Sequence, residues 1–116
     1  MSERRMFSKS ITESDAFLDL PLSSQALYFH LSMNADDEGF INNPRRIRSV
    51  IGASENDLKE LIEKSFLLRF DSGILVIKHW KINNHLRKDR RHETNYPEEK
   101  EMLVEKKTGV YSLKKK

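Results

Sequence analysis

The stretch IRSVIGASENDLKELIEKSFLLRFDSGILVIKHW, residues 47–80, carries three apolar patterns in succession with almost no spacer between them. Ile47, Val50 and Ile51 recur at helical spacing and are expected to face inward, until Gly52-Ala53-Ser54 breaks the run. Gly52 can take the left-handed conformation that ends a helix. Ser54, with Asp57 three residues on, resembles a capping box and starts the next helix at once. That helix, Glu55 to Lys64, buries Leu58, Leu61 and Ile62 and has Glu60 and Lys64 at i,i+4 on its solvent side. From Phe66 the pattern becomes extended. Residues 66–70 and 74–80 read as strands, and Asp71-Ser72-Gly73 between them puts a glycine where a hairpin needs positive φ.

Working outward, Pro44 suits the first turn of the helix holding Ile47, with Asn43 as its cap and Arg45, Arg46 and Arg48 around its outer side. Residues 34–39, Asn-Ala-Asp-Asp-Glu-Gly, form a turn cluster ahead of a short strand at Phe40-Ile41. Upstream, Ser23 or Ser24 caps a helix to about Asn34, whose Ala26, Leu27, Phe29, Leu31 and Met33 predict the centre of the core. Thr12 caps an earlier helix with Ala16, Phe17 and Leu18. Downstream of Trp80, residues 83–95 are polar and basic. A last helix is expected from Pro97 and Glu98 to about Lys107, stopped by Gly109, with Val110 to Leu113 extended.

This order predicts an α+β, mainly α fold: a winged helix-turn-helix with a short three-stranded sheet and a C-terminal helical extension. The expected organisation is a basic N-terminal arm at 1–11, a winged-helix domain at 12–82, and a basic loop with the helical extension at 83–116.

At 116 residues the chain suits one domain with a modest core. The absence of cysteine excludes disulfides, Cys-ligated metals and thiol nucleophiles together, and fits a cytoplasmic protein. No apolar run is long enough for a signal peptide or a membrane span. The formal charge of +3 is unevenly spread. Residues 1–77 hold nine Lys/Arg against twelve Asp/Glu, whereas residues 78–92 hold six against Asp89 alone. Positive charge localised in this way attracts a polyanion.

Two groups of cations therefore become candidate DNA contacts. Arg45, Arg46 and Arg48 fall at the start of one helix, without an acid among them. The run from Lys78 to Arg91 interleaves Lys78, Lys81, Arg87, Lys88, Arg90 and Arg91 with Trp80, His79, His85, Asn83 and Asn84. Trp80 also has a core reading, closing the sheet, and that reading takes the larger share. The helix at the usual base-reading position, Glu55 to Lys64, holds four acids and two lysines, so it fits a solvated face or a protein interface better than a DNA groove. Asp36, Asp37 and Glu38 lack the alternating ligands of a calcium loop and read as a turn. No catalytic constellation, zinc set or phosphate-binding glycine loop is visible, so neither an enzyme nor a cofactor or metal is expected.

Several segments also resemble the N-terminal region of phage replisome-organiser proteins, which are related to DnaD-like primosome components. They are Arg5 to Lys9, Phe17 to Ser23, Ala35 to Ile41, Val50 to Ser54, Lys78 to Asn84 and Lys107 to Tyr111. The resemblance covers most of the chain, and residues 35–41 and 79–84 are its most specific parts. It implies a non-enzymatic winged-helix protein acting in phage or prophage DNA replication initiation in the host cytoplasm. It further implies DNA binding at the origin and self-association into a homo-oligomer, with replication initiation proteins as further partners; the DNA, duplex or single-stranded, is left open by the sequence. A transcriptional regulator of the same fold and a protein–protein adaptor of the replication machinery are the alternatives.

Overall fold

The computed structural model describes residues 4–84, 93–106 and 108–114. In chain order the elements are α1 (Lys9–Thr12), α2 (Asp15–Leu18), α3 (Leu22–Asn34), β1 (Phe40–Ile41), α4 (Pro44–Ile51), α5 (Glu55–Glu63), β2 (Leu67–Arg69) and β3 (Leu75–Ile77). These are followed by α6 (Trp80–Asn83), α7 (Pro97–Glu101), β4 (Leu103–Glu105) and β5 (Tyr111–Leu113). The first three strands form one antiparallel sheet in the order β1-β3-β2, and β4 pairs with β5 in a second. The architecture is α+β, a helical body around small antiparallel sheets. Among the described residues no helix is long and apolar enough to cross a membrane.

α3 is the central helix. Its Leu27, Tyr28 and Leu31 are fully buried, and burying one such leucine contributes about 1.5–3 kcal/mol. The rings of Phe17 and Phe66 meet Tyr28 edge-on, with centroids 5.2 and 6.0 Å away. Burial pushes the Tyr28 hydroxyl up to about 12, and the Asn83 amide that donates to it at 2.8 Å acts against that rise.

α3 begins at Leu22, with Pro21 in the cap position, rather than at the serines the sequence suggests. The two hydroxyls are used elsewhere. Ser23 donates to the Asp57 carboxylate at 2.6 Å and Ser24 to the Asp57 carbonyl at 3.1 Å. Asp57 also completes the expected capping box: it accepts from the Ser54 N–H at 2.8 Å, while Ser54 accepts from the Asp57 N–H at 3.1 Å. The Ser23 bond foremost holds the Asp57 carboxyl below its usual range. One residue thus starts α5 and clasps it to α3.

In the sheet, Phe40 pairs with Val76 and Ile41 with Leu75, while Leu67 to Arg69 pair with Ile77 to Leu75. The β2–β3 hairpin turns through Gly73 at φ +90, as its sequence predicts.

Other expectations are corrected. Val50 is 77% exposed, because Ile47 and Ile51, one turn apart, set the inward face of α4 and Val50 falls off it. Lys64 is exposed as expected but stands at the C-cap of α5, and the exposed ion pair on this helix is Lys59 with Glu63 at 3.9 Å rather than Glu60 with Lys64. Thr12 ends a one-turn helix, α1, and does not cap the helix that carries Ala16, Phe17 and Leu18. Ser14 accepts from the Phe17 N–H at 3.2 Å and starts α2 afresh. The third strand stops at Ile77 and Trp80 opens α6. The C-terminal extension is not mainly helical: α7 ends at Glu101, and the β4–β5 hairpin replaces the second half of the expected helix.

The turn at Asp36-Asp37-Glu38 joins three distant parts of the chain. Asp37 pairs with Arg5 at 3.1 Å in a site where both side chains are almost wholly buried. Glu38 accepts from Lys100 at 2.6 Å and from the Thr94 N–H at 2.7 Å, while the Tyr111 hydroxyl donates to its carbonyl. Asp36 accepts from the Glu38 and Phe40 amides and from the Thr94 hydroxyl. Gly39 follows at φ +93, and a Cβ there would lie 2.7 Å from Trp80 Cγ, so only glycine admits the indole. Arg5, in the basic N-terminal segment, packs against the body: it lies over the Trp80 ring, 5.0 Å from its centroid.

His79 supplies a pH-dependent element. Its ring is half-buried near Phe66, and burial, then the charge of Lys78, hold its pKa below 6.5. The unfolded chain binds the proton more readily. This contribution is therefore complete above pH 6.5 and is lost as the pH falls below it. The melting temperature is expected to drop between about pH 7 and about pH 5, and His79→Gln to flatten the decline. A wild-type profile already flat across that range would contradict the assignment.

Candidate nucleic-acid interface

Pro44 at the first position of α4 turns Ile47 into the core and leaves Arg45 and Arg46 exposed on the first turn. Asn43 makes no side-chain cap there. Across from them Arg69, at the end of β2, faces solvent while Leu67 on the same strand is buried. The three arginines line one open groove of about 340 Å³, with Leu58 and Ile62 of α5, Asn43 and Ser72 also in its lining. A second groove shares Arg45, Leu58, Ile62 and Arg69, adds Arg48 of α4, and continues along α5 past Lys59, Glu55 and Glu63. Among the described residues, no carboxylate forms an ion pair with Arg45, Arg46 or Arg69.

Arg69 is absent from the contacts expected from sequence. Its signal was available: it is the one cation on a strand whose turn folds back towards the start of α4. Only the sheet register, Arg69 opposite Leu75, brings it across from Arg45 and Arg46.

Within the described residues, none of the other expected contacts lines this first groove. Arg48 is half-buried, and its guanidinium donates to the Ala53 carbonyl at 2.8 Å, bracing the turn between α4 and α5. Lys78 and Lys81 are half-buried beyond the opposite end of β3, and Lys81 pairs with Glu105 at 3.4 Å. Asn83 and Asn84 are buried. Asn83 accepts from the Ser8 N–H at 2.9 Å and Asn84 from the Met6 N–H at 2.8 Å, so their carboxamides hold the N-terminal segment. Trp80 is 1% exposed and donates to the Asp37 carbonyl, which removes it as a stacking platform. Arg87, Lys88, Arg90 and Arg91, with His85 and His92, lie outside the described residues. Among the described residues, Lys78 and Lys81 are thus separated from Arg45 and Arg46, and the arginine groove carries exposed, unpaired charge.

No family model, curated protein or solved structure matches the chain.

Proposed function

We propose that this chain is a winged helix-turn-helix DNA-binding protein, without catalytic activity, that serves phage or prophage replication initiation in the host cytoplasm. The order α3–β1–α4–α5–β2–β3, with β3 between β1 and β2, supports the fold reading. So does the three-residue turn Gly52-Ala53-Ser54 between α4 and α5. The replication role rests on the sequence resemblance described above. DNA binding is carried by one observation: three exposed, unpaired arginines converge on one groove from a helix and a strand. Guanidinium groups bind phosphate oxygens through paired N–H donors, and these contacts position a protein on the backbone.

The test is a mobility-shift titration across a salt series. If about five phosphates are contacted, log affinity falls with log salt at a slope of roughly −4 to −5 on duplex DNA. A salt-independent affinity, or no shift at low salt, contradicts the reading.

A second reading, a protein–protein adaptor that includes self-association, is favoured by α3. This 13-residue helix carries no Asp, Glu, Lys or Arg. Its face opposite the core shows Leu22, 82% exposed, with Ala26 and Met33 in line along it. Sedimentation of wild type against Leu22→Glu separates the cases. A self-associating protein turns monomeric with the substitution, and a wild type already monomeric at high concentration counts against that reading.

A further inference from the structure

We infer that the arginine groove takes double-stranded rather than single-stranded DNA, and takes it through its phosphates with little regard to base sequence. The inference rests on the DNA-binding reading above and adds the form of the ligand and the manner of its recognition.

Single strands are held by stacking bases on aromatic side chains, worth about 1–3 kcal/mol per base. The described residues include every Phe, Tyr and Trp of the chain, six, three and one respectively, and none is exposed. Seven are buried. The half-buried three are engaged with other rings: Phe7 with Phe29 at 4.9 Å, and Tyr96 with Phe40 at 6.4 Å. No aromatic ring lines either groove beside the arginines. A single strand would find charge here without a stacking platform, and would still have to be ordered.

A duplex suits the same groups better. Arg45 and Arg46 stand on a helix and Arg69 on a strand, so their backbone positions are set by hydrogen-bonded elements on two sides of the groove. A duplex presents phosphates at fixed spacing to such an array. Counterion release per contact is also larger on duplex than on single strands.

Base reading in the major groove is commonly done by a helix, and α5 is the neighbouring candidate. It exposes Glu55 and Glu63 along the second groove, with Lys59 between them. Those carboxylates would meet phosphates on entry and can accept only from the amino groups of cytosine and adenine among the major-groove edges. Contact is thereby left to the backbone, which carries no sequence information directly.

The experiment is fluorescence anisotropy at low salt with two duplexes of equal length, one AT-rich and one GC-rich, and their four separated strands. Each duplex is expected to bind at least roughly tenfold tighter than any strand, and the two duplexes within roughly threefold of each other. Arg69→Ala is expected to weaken both duplexes by the same factor. Strands that bind as tightly as duplexes, or a tenfold or larger preference between duplexes, overturn the inference while DNA binding stands. Failure of every probe to bind overturns both.

Discussion

Asp37→Ala is expected to destabilise the protein by about 3–5 kcal/mol, the usual consequence of removing one partner from a buried ion pair. The Arg5 side chain is 4% exposed and that of Asp37 is 0% exposed, so water cannot replace the lost carboxylate. Arg5 cannot swing out without abandoning the Ala35 carbonyl, to which it donates at 2.8 Å, and the Trp80 ring beneath it. A loss of that size lowers the melting temperature by on the order of 15 °C in a domain of this length. The penalty comes from an uncompensated cation rather than from the pair itself. Adding Arg5→Met to Asp37→Ala is therefore expected to recover a large part of the lost stability. Calorimetry of the two variants checks this. A loss below about 1 kcal/mol for the single change, or no recovery in the double, contradicts the burial argument.

Reversing the groove, with Arg45→Glu, Arg46→Glu and Arg69→Glu together, is expected to weaken duplex binding at low salt by on the order of 100-fold or more. The salt slope should fall by roughly 3, about one for each phosphate contact removed. All three side chains are exposed and outside any ion pair among the described residues, so the melting temperature should barely change. Lys81→Glu is the matched control. Its ammonium is already engaged with Glu105, and its loss should change affinity by less than about threefold. An equal loss in the control and in the triple variant would mean that net charge, not this groove, governs binding.

What could be read from the chain was what neighbouring residues decide. The capping box at Ser54 and Asp57, the glycine turn of the β2–β3 hairpin and proline at the start of α4 are set within a few residues. Each was therefore visible. The core role of Trp80 was visible as well, though not its exit from the strand, which depends on Gly39 leaving room for the indole. Long-range partners were not visible. Nothing near Asp37 or Glu38 announces that Arg5 and Lys100, 32 and 62 residues away, will neutralise them. Asn83 and Asn84 sit amid cations and read as ligand donors, yet their partners are main-chain amides 75 and 78 residues upstream. Arg69 was missed for the same reason in reverse: only the folded hairpin makes it a neighbour of Arg45.

The most direct test of the arginine groove as the docking place for a DNA backbone is an NMR titration with a short duplex. The amide and guanidinium signals of Arg45, Arg46 and Arg69 should move first and furthest, while those of Lys81, Asn83 and Asn84 stay in place. Shifts concentrated on residues 78–84, with Arg45 and Arg69 unmoved at saturation, would contradict the account.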